Sequence, residues 1–162
     1  MSTFVKGGGT ASTPFGKREF LRSTNPKPQT ESYTVAKTSV PERTVTNGDG
    51  STSTTKILQP GTVMAKITSA AGTSTAADVG KIGPFSAQAT DGRQTLANIV
   101  GLEETFLPWQ LMERDVEVAV VTNCTAVQAW CTELNASGAE VVLTNTTADA
   151  MRGGKRLDIN FA

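Results

Sequence analysis

The sequence contains no histidine, which removes the commonest general base, the Ser-His and Cys-His nucleophile pairs and most zinc sites in one step. Aromatic residues are scarce, with six Phe, two Trp and one Tyr in 162 residues. So few of them stand among the scattered Lys and Arg that a nucleic-acid surface is not expected. No run reaches the roughly 18 apolar residues of a membrane span, and residues 1–20 lack the apolar region of a secretory signal. A soluble protein made in the cytosol is expected, with neither a nucleic-acid nor a membrane partner. There are only two cysteines, Cys124 and Cys131. Their odd separation puts them on opposite faces of a straight strand, so both are expected as reduced core thiols.

What is present is unevenly placed. Residues 1–56 hold eight Lys or Arg against four Asp or Glu, a net of +4, while residues 57–162 hold seven against eleven, a net of −4. A basic arm before an acidic domain suits docking on an acidic partner or on a neighbouring copy's domain. Residues 1–28 show no period of 2 or 3.6, and their isolated apolar residues include Phe15, Phe20 and Leu21, candidate anchors that order on a partner. Residues 33–37 and 44–46 alternate with period 2, with Pro41 between them. Tyr33, Val35 and Val45 are therefore expected on edge pieces that complete their hydrogen bonding on another sheet. The polar stretch NGDGSTSTT (47–55) is expected as a hinge, placing the domain boundary at residue 56.

The domain, residues 57–162, is organised around GPFSAQATDGRQTLANIVGL (83–102). Asp91-Gly92 is a strong turn signal, and the apolar run from Leu96 to Leu102 is expected as a buried strand leaving it. Before it, Gln59-Pro60-Gly61 turns the chain into a strand over 62–68, with Val63, Ala65 and Ile67 on one face and Met64 and Lys66 on the other. After it, residues 113–123 form the clearest strand, with Val116, Val118 and Val120 facing one way. A return strand is expected over 125–131 with its turn at 123–124, then a helical or turn segment over 133–139 and a strand over 140–144. A short helix over 148–152, capped by Thr146 or Thr147 and stopped by Gly153-Gly154, precedes a closing strand with Leu157, Ile159 and Phe161 inward.

Candidate chemistry is thin. The serines sit in low-complexity loops where nothing fixes a Ser-Lys dyad. Glu103 with Glu104, and Glu113 with Asp115, are read as solvated charges flanking strands, because neither pair has the ligand spacing of a calcium loop. Gly153-Gly154-Lys155 lacks the rest of a phosphate-loop pattern. Three glycosylation-type triplets, at Asn123, Asn135 and Asn145, are read as chance in a Thr-rich chain. No catalytic residue, metal site or cofactor is expected. Phe106, Leu107, Pro108 and Trp109 place aromatics on a proline-stiffened loop, which suits a protein interface; the alternative is a carbohydrate- or receptor-binding β module with Trp109 as stacking platform.

The order of these elements, carried by QPGTVMAKIT (59–68), ATDGRQTLANIVGL (89–102), ERDVEVAVV (113–121) and LDINFA (157–162), resembles the lambda-type head decoration proteins of tailed bacteriophages. The resemblance covers the last two-thirds of the chain. It implies a mainly β domain of β-clip or barrel-like form with one or two short helices, preceded by a long extended N-terminal arm that orders on the capsid. It also implies a homotrimer at local three-fold positions of the virion, outside the major capsid protein, with neighbouring decoration trimers as further contacts.

Overall fold

A computed structural model of the protein describes residues 20–23, 27–152 and 157–162. Along the chain these form β1 (Leu21–Ser23), β2 (Gln29–Val35), β3 (Arg43–Thr46), β4 (Thr52–Thr55), β5 (Val63–Lys66), β6 (Ile82–Pro84), β7 (Ile99–Glu103), β8 (Val116–Ala126), β9 (Thr132–Leu134), β10 (Glu140–Val142), the helix α1 (Asn145–Ala150) and β11 (Asp158–Phe161). The fold is mainly β with one short helix, as the sequence suggests.

The Val-rich strand β8 is the axis of the main sheet. One edge takes β2, antiparallel from Gln29↔Asn123 to Val35↔Val116, and then β1 at Leu21↔Ala126. Its other edge takes β7 at Leu102↔Val121 and Glu103↔Val120, and then β11 in parallel from Asp158↔Asn123 to Phe161↔Ala126. From β7 the sheet continues antiparallel through β5 to β6. Strand β6 curls back to β2 but meets it through the single pair Val35↔Ile82. The sheet is therefore barrel-like but not closed.

Both faces are covered. Val35, Met64, Ile82, Val100, Val118 and Val120 pack on one, with Leu58, Leu107 and Leu111 from the loops. Val63, Ala65, Ile99, Leu102, Val121, Cys124 and Ala126 pack on the other, under Cys131, Leu143, Ala148, Met151 and Ile159. The period-2 expectation for Val63, Met64 and Ala65 holds, and both cysteines are buried free thiols. Along β8 the alternation breaks once: Gln29 pairs with Asn123 and Thr30 with Val121, so Thr122 is passed over. A bulge shifts every later side chain by one face, which is why Val121 and Cys124 share a cluster. A second irregularity lies between Met64↔Gly101 and Ala65↔Ile99. Gly101 there has φ +142, and a Cβ on it would lie 2.2 Å from the Val121 carbonyl oxygen, so only glycine allows β7 to approach β8.

Several expectations are corrected. Residues 20–23 and 27–56 are not an arm outside the domain. Strand β2 lies inside the main sheet, and the expected hinge at 47–55 is the turn (47–51) and second strand (52–55) of the β3–β4 hairpin, where Asn47 N donates to Ser51 O at 2.7 Å. The strand after Asp91-Gly92 starts at Ile99, because residues 96–98 form a 3-10 turn tied back by Asn98 Nδ2 donating to Gly92 O at 2.8 Å. There is no turn at 123–124, since β8 runs on to Ala126 and Gln128–Trp130 is a 3-10 turn. Residues 132–142 form the β9–β10 hairpin, with Asn135 Oδ1 accepting from Ser137 N and Ala139 N at its tip.

Helix α1 begins earlier than expected. Its N-cap is Thr144, whose hydroxyl accepts from Thr147 N at 3.4 Å, while the proposed stop at Gly153-Gly154 lies outside the described residues. Thr144→Ala is expected to lower stability by about 1 kcal/mol, and Thr146→Ala, at an exposed position, by less than about 0.5 kcal/mol, in paired thermal melts.

Candidate contact surface

Most of the anchors assigned to the arm are consumed by the chain's own core. Phe20 is 3 % exposed and packs against the backbone at Gly61, with its carbonyl accepting from Val127 N at 2.8 Å. Leu21 is half-buried against the same cluster. Val35 and Val45 are buried, and Tyr33 is half-buried with its hydroxyl donating to Glu31 Oε2 at 2.6 Å. The open edge these strands were expected to seek is supplied in part by β8 of the same chain. Phe15 lies outside the described residues.

The expected interface residues are brought together at one corner. Leu107 is buried and its backbone pairs with Leu58 through two hydrogen bonds of 2.9 Å. Phe106 and Pro108 are half-buried, and the Pro108 carbonyl accepts from the Thr55 hydroxyl of β4 at 3.1 Å. Trp109 is 54 % exposed and precedes a 3-10 turn, Gln110–Met112, closed by Met112 N donating to Trp109 O at 2.9 Å. That turn ends at Met112, 40 % exposed, whose backbone N–H is bonded to the Trp109 carbonyl. Sequence reasoning missed Met112, although a residue three positions after an exposed aromatic is one turn away in any helical turn. Leu111 anchors the same turn from beneath, fully buried. An exposed Trp and an exposed Met thus stand on one loop whose backbone is pinned by the buried Leu107 and Leu111.

Glu103 is at the base of this loop. It is a fully buried carboxyl rather than the solvated charge expected. Its Oε1 accepts from Thr105 N at 2.7 Å, and its Oε2 has no partner among the described residues. Burial is the main cause of its pKa rising to about 8; Thr105 opposes the shift and the nearby charge of Glu104 adds to it. Asp115 is also structural, accepting from Lys81 Nζ at 2.6 Å and from Lys37 N at 2.9 Å. Lys81 reaches Asp78 as well, at 3.4 Å. Burial alone would raise the Asp78 pKa, but hydrogen bonds from Thr75, Thr38 and Lys81 bring it down to about 2.

Asp91 and Arg93, from the centre of the 83–102 stretch, form a buried ion pair. Arg93 Nε donates to both oxygens of Asp91 at 3.0 and 2.9 Å, and Nη1 donates to the carbonyls of Ser39 and Pro84 at 2.9 and 3.2 Å. Ser74 completes the carboxylate's shell at 2.5 Å. The pair therefore ties three loops and the end of β6 together. Among the described residues no group of three His, Cys, Asp or Glu side chains is placed to hold a metal, and no helix is long and apolar enough to cross a membrane. Compared with family models, curated protein sequences and solved structures, the chain matches none.

Proposed function

We propose that this chain is a structural virion protein that decorates and stabilises the outer surface of an expanded phage head, binding the major capsid protein as a homotrimer. The observation that carries the reading is the corner at Phe106, Pro108, Trp109 and Met112, where two exposed and two half-buried apolar side chains share one loop of a barrel-like domain. The sequence resemblance supplies the partner, and the mainly β fold agrees with it. Three copies engaging one site multiply weak contacts, since linked binding raises avidity by about 10² to 10⁴ without a new contact type.

Residues 1–19 lie outside the described residues; their sequence carries Phe15 and a net charge of +2 from Lys6, Lys17, Arg18 and Glu19. Truncation at residue 56 would remove β1 to β4 and test folding instead of binding. The direct experiment is sedimentation of the full chain with empty expanded heads. Wild type is expected to pellet with the heads, Trp109→Ala to bind at least about tenfold more weakly, and Trp130→Ala, also at an exposed indole, to bind normally. Failure of the wild-type chain to pellet would overturn the proposal. The same Trp109 is exposed enough to stack on a sugar ring, so glycan binding that is lost in Trp109→Ala while head binding is retained would favour the carbohydrate-binding module.

A further inference from the structure

A cavity of about 360 Å³ opens beside the Asp91–Arg93 pair, walled by the loops around Ser39, Thr73, Gln88 and Asn135. Its volume falls within the roughly 300–1,000 Å³ typical of small-molecule sites. The decisive feature is the hydrogen bonding of Arg93, which is only 6 % exposed. Nε is committed to Asp91 and Nη1 to two carbonyls. Among the described residues Nη2 has no acceptor. Nor is it one of the fully buried atoms left without a partner, and Arg93 is one of the residues that line the cavity.

Other polar groups on the wall are biased the same way. Asn135 Oδ1 is occupied by three donors, from Ser137 N, Ser137 Oγ and Ala139 N, which leaves its Nδ2 to donate. Gln88 and Thr73 add an amide and a hydroxyl with no side-chain bond inside the described protein. The one carboxylate in the wall, Asp91, is 1 % exposed and has both oxygens bonded; its charge is balanced by that of Arg93, so the pair meets the cavity as a neutral unit whose guanidinium edge donates. Pro41 and Leu134 give the wall an apolar side that can cover a carbon skeleton.

We propose that this cavity binds a small organic carboxylate, up to the size of a uronic acid, with one carboxylate oxygen accepting from Arg93 Nη2 and the rest of the ligand held by the amides of Gln88 and Asn135. A charge-assisted hydrogen bond to a desolvated guanidinium is about twice as strong as a neutral one, so a carboxylate is favoured over the hydroxyl of an otherwise matching sugar. None of these residues belongs to the Phe106–Met112 corner. The site therefore stands or falls independently of the decoration function.

The test is an NMR titration of the isotope-labelled full chain with glucuronate, and with glucose as the probe that lacks the carboxylate. Glucuronate is expected to give saturable shifts confined to amides around residues 39, 73, 86–93 and 134–138 with a Kd of about 1 mM, and glucose to bind about tenfold more weakly. Ala89→Trp, which fills the cavity from an only partly buried position, is expected to abolish the shifts while an unchanged spectrum elsewhere shows the fold intact. Equal responses to glucuronate and glucose, shifts elsewhere on the protein, or no saturation by about 50 mM would each overturn the proposal.

Discussion

Asp91→Ala is expected to lower unfolding stability by about 3–5 kcal/mol, a large part of the roughly 5–15 kcal/mol that holds a domain of this size together. The cause is less the lost attraction than the charge left behind. Arg93 stays where Ser39 and Pro84 hold it, 6 % exposed, without the carboxylate that neutralised it. Removing both charges separates the two contributions. In many buried pairs an apolar replacement of both partners is neutral. Here the double variant Asp91→Leu with Arg93→Met strands the carbonyls of Ser39 and Pro84 and the hydroxyl of Ser74, so it is expected to remain about 2 kcal/mol or more below wild type. Urea unfolding of Asp91→Leu, Arg93→Met and the double variant measures the cycle, beside Asp91→Ala. A loss of under about 1 kcal/mol in Asp91→Ala would show that the pair does not hold these loops.

The local signals in the sequence were sound where their meaning does not depend on a distant partner. The Pro-Gly and Asp-Gly turns, the alternation at Val63 to Ala65, the valine strand and the closing strand at Ile159 are all present. Pattern failed where the partner decides the outcome. Tyr33 to Val35 alternates in the same way whether it pairs with another chain or with its own β8, and nothing local says that residues 116–123 offer that edge. The bulge at Thr122 has no glycine or proline to announce it, so the pattern alone ends the strand at Asn123, whereas β8 runs on to Ala126. In the site, Trp109 was legible as an exposed aromatic near a proline. The Asp91–Arg93 clamp was not, because the turn signal already accounted for those letters and the carbonyls of Ser39 and Pro84 are brought to Arg93 only by the fold.

Glu103 shows the same limit and yields the second large effect. Adjacent glutamates look alike in sequence, but the pairing Glu103↔Val120 turns the first into the interior and leaves Glu104 half-buried. With its carboxyl held at a pKa of about 8 instead of the ordinary 4.5, Glu103 is neutral in the folded protein at pH 7 and ionised in the unfolded chain. The folded state therefore binds the extra proton. This contribution to stability is complete below about pH 4.5, declines as pH rises, and is gone above about pH 8. Across that window the loss amounts to as much as about 5 kcal/mol, at 1.36 kcal/mol per pH unit for one proton. Glu103→Gln keeps an acceptor for Thr105 N and cannot ionise, so its stability is expected to be nearly flat over the same range and to exceed that of wild type at pH 8. Chemical denaturation at pH 5, 6.5 and 8 compares the two slopes. Parallel slopes would mean that the carboxyl ionises freely in the folded protein. If the slopes diverge as expected, the fluorescence of Trp109, six positions along the loop that Glu103 anchors, should shift in wild type between pH 7 and 9 and stay constant in Glu103→Gln.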